Sequence, residues 1–212
     1  MYKTHLVKSI IDTTANNEGR MNINSYIEES ISSKKKILEN KTITATIQKI
    51  SDIIIEAYEQ GKKVLLAGNG GSAADAQHIA CELVSKFHFD RAALSAFALT
   101  TNTSVLTAIA NDYGYEHVFS RQIQANGQKG DVFIALSTSG NSKNILKALE
   151  EAKLKGMLTV GLSGEKGSLM DEKCDYLIKI PSSCTPVIQE SHIMIGHIIC
   201  ALVEKEIFGD EN

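Results

Sequence analysis

Four short runs of apolar residues, KVLLAG (63–68), LSAFAL (94–99), DVFIAL (131–136) and LTVGLS (158–163), constrain the fold of this 212-residue chain more than any other feature. Each is apolar throughout rather than at alternate positions, and each is followed by turn residues and a helical pattern. A strand with one face in water alternates polar and apolar residues; a strand covered by helices on both faces has no reason to. YLIKI (176–180) adds a fifth run. The pattern predicts a doubly wound α/β domain built on a five-stranded parallel sheet.

Helical patterns bracket these strands. INSYIEESISSKKKILEN (23–40) and TITATIQKISDIIIEAYEQG (42–61) space their apolar residues three and four apart, which predicts two amphipathic helices leading the fold. PVIQESHIMIGHIICALVEKEIF (186–208) opens on a proline suited to a helix's first turn and stays apolar to its end. Residues 1–20 read as a loose extension and 21–212 as one domain. A hydrophobic content of 43% is enough for one sizeable core, and no Pro/Gly/Ser-rich or like-charge linker divides the chain.

A formal net charge of −3 leaves no large basic surface for nucleic acid or an anionic membrane, and SKKK (33–36) reads as a solvated helix face. The four cysteines, Cys81, Cys174, Cys184 and Cys200, lack any C-x-x-C spacing and two lie in apolar helical runs, which predicts buried free thiols in a reducing compartment. The first twenty residues hold no stretch of signal-peptide character, and no later segment reads as a membrane span, so a cytoplasmic protein is expected.

Ligands of such folds sit outside the carboxyl ends of the strands, where loops feed helix N-termini. Two of these loops carry chemistry. Asn69-Gly70-Gly71-Ser72 follows the first strand; its glycines let backbone approach an anion, and Ser72 is placed to cap the helix. STSGNS (137–142) follows the third strand and offers four hydroxyls, Ser137, Thr138, Ser139 and Ser142, around one glycine. Neither loop holds a lysine to reach β- and γ-phosphates, so a phosphate monoester fits better than a nucleoside triphosphate.

The helix behind the first loop carries His78 and Glu82 at i and i+4, on one face. The last helix adds Gln189, Glu190, His192 and His197 in an otherwise nearly apolar stretch. Two histidines, a carboxylate and an amide oxygen suit a divalent ion such as zinc. His192 and His117 read as hydrogen-bonded structural histidines instead. Eight helical residues put Gln189 and His197 about 12 Å apart along the axis, so one ion would need long side chains, a loosened first turn or a ligand from another subunit.

Taken in order and spacing, GNGGSAADAQH...E, ANDYGYEHVFSRQI, STSGNS and IQESH....H resemble the phosphoheptose isomerases, of the sugar isomerase (SIS) fold, a flavodoxin-like arrangement. The resemblance covers nearly the whole chain from about residue 22. It implies a homotetramer with sites lined by more than one subunit, the two leading helices serving assembly. It implies that Asn69, Gly70, Gly71, Ser72, Ser137, Thr138, Ser139 and Ser142 hold the sugar phosphate, that Asn111 and Asp112 contact the sugar, and that Glu82 and Gln189 also touch substrate. His78, Glu82, Gln189 and His197 would bind one zinc per subunit, with Glu82 and His197 catalytic. The implied reaction interconverts sedoheptulose 7-phosphate and D-glycero-D-manno-heptose 7-phosphate for lipopolysaccharide or capsule.

Three positions depart from the family's pattern: Lys86 stands where Arg is expected, Asn102 where Asp is common, and Pro186-Val187 where an Arg commonly precedes Ile-Gln-Glu. Lys is a point charge without Arg's planar bidentate fork, so the departures bear on substrate grip. The rival reading is a non-catalytic SIS tetramer that binds the replication initiator; such a scaffold has no need of the histidine and carboxylate set.

Overall fold

The computed structural model describes residues 22–209, so the extension expected over residues 1–20 lies outside the described residues. Two helices, α1 (Ile23–Glu39) and α2 (Lys41–Glu59), precede the first strand. Asn40 ends one and starts the other: its backbone N–H bonds back to α1, and its side chain accepts from the N–H groups of Thr42 and Ile43 at the head of α2. The order continues β1 (Val64–Gly68), α3 (Gly71–Val84), β2 (Ala96–Ala98), α4 (Thr103–Tyr113), α5 (Ser120–Asn126), β3 (Val132–Leu136), α6 (Lys143–Leu154), β4 (Leu158–Gly164), β5 (Tyr176–Ile180) and α7 (Thr185–Phe208).

The five strands form one parallel sheet in the order β2-β1-β3-β4-β5. From β1 the chain first adds β2 on one side and then crosses to add β3 on the other. This reversal puts the loops after β1 and β3 side by side at the carboxyl edge, the place where such sheets bind ligands. In β1 and β3 every residue is buried, as continuous apolar runs require. LSAFAL and YLIKI depart from that expectation because they become the sheet's edges. Only Ala96–Ala98 is strand, with Phe97 54% exposed, and β5 is half-buried at three of five positions.

Alternate strand residues feed two cores. Val64, Leu66, Ile134, Leu136, Leu162 and Ile178 point toward α2, α3 and α7, where Ile50, Ile54, Ile79 and Ile195 meet them. Leu65, Ala67, Phe133 and Ala135 point the other way, toward Phe119 and Ile123 around α5 and Ile145 and Leu149 of α6. Each of the fully buried Val, Leu, Ile and Phe side chains contributes about 1.5–3 kcal/mol relative to exposure.

Helix α7 and the cysteines bear on two readings. At 24 residues with a mean hydropathy of 1.4 over its most apolar window, it is long and apolar enough to cross a membrane, but half of that window is buried inside the protein, as a core helix apolar on all sides must be. The cysteines are all free, yet only Cys200 is buried while Cys81 is exposed and Cys174 and Cys184 are half-buried. Burial pushes the Cys200 thiol up to about 12, which keeps it an inert hydrophobe.

Helix α1 attaches lightly. Ser30 donates to Glu190 of α7 at 2.6 Å and Lys34 reaches the same carboxylate at 3.3 Å, so SKKK is only in part a solvated face; Ser33 in it is buried. Ile23, Ile27, Ile31 and Leu38 lie exposed along the helix.

Candidate active site

The loop after β1 turns at Gly70, whose φ of +56° suits glycine and places it as the residue before α3. Ser72 therefore does not cap the helix: it lies within the first turn, only 6% exposed, and no side chain caps the N-terminus. The N–H groups of Ser72 and Ala73 turn back to the carbonyls of Asn69 and Gly70, both at 3.0 Å, so what the end of α3 offers an anion is chiefly the positive end of the helix dipole, with no side chain in the way. Next to it, a Cβ on Gly71 would fall 2.3–2.6 Å from the side-chain amide of Gln189, so this glycine makes room for α7.

The loop after β3 brings two of its four hydroxyls together. Ser137 Oγ and Ser142 Oγ are 3.1 Å apart, Ser139 Oγ accepts from the N–H of Asn141 at 3.2 Å, and Ser142 precedes α6 without capping it. Thr138 and Ser139 also line a cleft of about 270 Å³ that runs to Ser182, Ser183 and Thr185 at the head of α7, with Lys166 on its wall. Asn69 bridges the two loops by a side-chain amide pair with Asn144.

Helices α3 and α7 pack side by side in the same direction. Gln189 meets Gly71 and Asp75, His197 meets His78, and beyond the helix end Glu204 meets the loop 87–91. Gly196 sets the close approach, since a Cβ there would fall 2.5 Å from Ile79. His78 Nε2 then lies 2.8 Å from His197 Nε2 and 3.3 Å from Glu82 Oε1. The ligand atoms of His78, Glu82 and His197 all lie within 4.8 Å of one another. Two imidazole nitrogens at such a distance are joined by a hydrogen bond, one ring donating its N–H to the other's lone pair, or by a cation that both ligate. With the carboxylate oxygen they make a donor set that fits zinc.

Gln189 stands apart from this trio. It sits at the level of Gly71, about two helical turns before His78, which is the separation its eight-residue spacing from His197 required. Its Nε2 donates to Asp75 Oδ1 at 3.4 Å. Asp75 is 7% exposed, its Oδ2 has no partner, and burial raises its pKa while the Gln189 hydrogen bond and nearby His78 lower it. Asn111 and Asp112 are exposed at the end of α4, with Asn111 donating to Asp112 at 2.8 Å. Of the departures, Lys86 is exposed, Asn102 spends its side chain capping α4, Pro186 sits in the first turn of α7 and Val187 is fully buried.

His192 is fully buried, with Nε2 3.3 Å from the Ser163 carbonyl, and burial pushes its pKa down to about 4. His117 accepts from Lys147 at 3.0 Å. Sequence reasoning passed over Asp75, Asn144 and Tyr115, although Asp75 lies one turn before His78 on the same face and Asn144 lies two residues after the serine loop. It also passed over Arg91 and Glu204, which form a buried pair at 3.0 Å. Arg91 donates to the carbonyls of Glu82 and Leu83 at the end of α3, and Glu204 accepts from the N–H groups of Phe87 and His88. Nothing local in the sequence joins residues so far apart.

A family model described as SIS domain matches residues 25–164. Among curated relatives, phosphoheptose isomerase 2 of Campylobacter jejuni subsp. jejuni serotype O:2 is 62% identical over 192 residues, covering 89% of this chain and 96% of that protein. The phosphoheptose isomerase of Aneurinibacillus thermoaerophilus is 62% identical with the same coverage of each, 89% and 96%. Among solved structures, a phosphoheptose isomerase from Francisella tularensis superposes with a TM-score of 0.83 at 34% identity, over 86% of this chain and 96% of that one. With a five-stranded parallel sheet, the glycine and serine loops and the paired histidines in place, the chain belongs to the phosphoheptose isomerase family of SIS-domain proteins.

Proposed function

We propose that the chain is an aldose–ketose isomerase that interconverts sedoheptulose 7-phosphate and D-glycero-D-manno-heptose 7-phosphate, supplying heptose for bacterial lipopolysaccharide or capsule from the cytoplasm. The observation that carries this reading is the convergence of His78, Glu82 and His197 along a helix whose N-terminus opens between the glycine and serine loops. A scaffold that only binds the replication initiator has no chemical use for that trio.

Moving the carbonyl between C2 and C1 requires a base for the proton α to it and an acid for its oxygen, through an enediol. Glu82 is the base at carbon, and His197 passes protons to and from the oxygens. Asn69, Gly70, Gly71 and Ser72, with Ser137, Thr138, Ser139 and Ser142, hold the phosphate end, while Asn111, Asp112 and Gln189 contact the sugar. One zinc per subunit would be held by His78, Glu82 and His197; Gln189 would become a fourth ligand only by leaving Asp75 and reaching two helical turns along α7 toward them. Lewis-acid polarisation of the substrate carbonyl is the chemistry such an ion supplies.

The functional unit is a single SIS domain over residues 21–212, assembled as a homotetramer. The exposed Ile23, Ile27, Ile31 and Leu38 of α1 support assembly, as does His78, whose side chain is 49% exposed at the mouth of the trio. Incubation with sedoheptulose 7-phosphate, followed by NMR of the products, should give the aldoheptose 7-phosphate; an unchanged spectrum would sink the reading. Light scattering at micromolar concentration should give four times the chain mass, and a monomeric mass would remove the assembly.

A further inference from the structure

The orientation of one buried amide can be deduced atom by atom. Asn144, the second residue of α6 and 3% exposed, accepts the backbone N–H of Ile145 on its Oδ1 at 3.0 Å. A backbone N–H only donates, so the atom facing it must be the oxygen, and the flip of the Asn144 amide is fixed. That oxygen also accepts from Asn69 Nδ2 at 2.9 Å, while Asn144 Nδ2 donates to Asn69 Oδ1 at 2.8 Å. The flip of Asn69 follows. Its Oδ1 takes a second donor, the hydroxyl of Tyr115, at 3.1 Å. With both lone pairs of Asn69 Oδ1 engaged, the side chain has one free polar group left, the second hydrogen on Nδ2.

From this chain of bonds we infer that Asn144 is a positioning residue for the isomerase site, holding Asn69 so that it presents a donor, never an acceptor, to the bound sugar phosphate. Tyr115 is the second brace on the same oxygen. A free Asn69 would turn its amide either way, and half of those orientations would set a carbonyl oxygen against an anionic or carbonyl oxygen of the substrate. The pair also ties the loop after β1 to the head of α6, so the two halves of the phosphate site keep one spacing. Neither residue belongs to a local motif with Asn69, which lies 75 residues from Asn144 and 46 from Tyr115. The inference rests on the isomerase reading and on Asn69 contacting the substrate.

The test is a double-mutant cycle on isomerase kinetics with sedoheptulose 7-phosphate. Asn144→Ala, a neutral change that adds no charge to an anion site, should raise KM about tenfold and change kcat less than about threefold. In an Asn69→Ala background the same substitution should change KM less than about twofold, because there is no amide left to orient. Tyr115→Phe, at an exposed position that tolerates it, should raise KM by a smaller factor that also vanishes with Asn69 removed. If Asn144→Ala does not fold, the Tyr115→Phe cycle decides alone. Wild-type KM in Asn144→Ala, or effects that persist undiminished in the Asn69→Ala background, would overturn the positioning role while leaving the isomerase intact. A wild-type protein that does not turn over the sugar phosphate would instead remove the functional reading and this inference with it.

Discussion

The two halves of the site are built differently. At the loops, Gly70, Gly71 and Ser139 face solvent, but Ser72, Ser137 and Asn144 beneath them are each at most 6% exposed, and Asn69, Asn144, Ser137 and Ser142 are held by bonds to one another and to backbone. At the trio, the side chains of His78 and Glu82 are 49% and 21% exposed and hold mainly each other and His197. A phosphate needs donors already in place, since each donor ordered on binding costs entropy. A group that exchanges protons and accepts a cation needs room and access. On the proposed reading, grip and chemistry are therefore carried mainly by separate residues, drawn from three different helices and the loops that feed them.

That separation can be broken by mutation, and the largest effect should come from the open half. Glu82→Gln keeps shape and removes the base; kcat should fall about 10²- to 10⁴-fold. Sugar-phosphate affinity by calorimetry should change far less, and exchange of the substrate α-proton with deuterated solvent should stop. Wild-type exchange in this variant would take Glu82 out of the base role, and equal loss of affinity and turnover would merge the two halves into one.

The loop half should fail in the opposite sense. Ser137→Ala and Ser142→Ala each remove a donor to a dianion, worth about 1.5–3 kcal/mol, and so should raise KM with kcat nearly kept. A double variant with unchanged KM would refute the loop assignment. Because the two hydroxyls face each other at 3.1 Å, their effects should not add.

A third experiment probes the packing that supports both halves. Folded His192 has its pKa lowered by burial to about 4 from 6.5, so between these values the unfolded chain binds more protons than the folded one. The stability this provides is complete above pH 6.5 and drains away as pH falls toward 4; about 2 kcal/mol should be gone by pH 5. The thermal midpoint should fall between pH 7 and pH 5, with a shallower slope in His192→Leu. An equal slope in the variant would place the acid sensitivity elsewhere.

How much of this was legible before the fold was known depended on distance along the chain. His78 and Glu82 were readable as partners because four helical residues make one turn, whatever surrounds them. The two loops were readable because each follows an apolar run directly. The thinness of β2 was not, since an edge strand and a central one differ only in whether a neighbour pairs with them, and LSAFAL is as apolar as KVLLAG. Nor was the role of Ser72, because whether a serine caps a helix or lies inside its first turn depends on where Gly70 turns the chain.

The sequence by itself determined the parallel sheet, the places of the glycine and serine loops and a histidine–carboxylate pair on one helix face. These follow from side-chain periodicity and the backbone preferences of a few adjacent residues. Sequence reasoning also proposed His197 for the same set, but only the tertiary structure set its ring against His78, 119 residues away, and left Gln189 two turns off beside Asp75. The tertiary structure also decided that Asn144 sets the face Asn69 shows to a ligand. The physical reason is that a helix fixes its own geometry through local hydrogen bonds. Which helix face meets which is settled by how α3 and α7 share one side of the sheet and how closely Gly196 lets them approach.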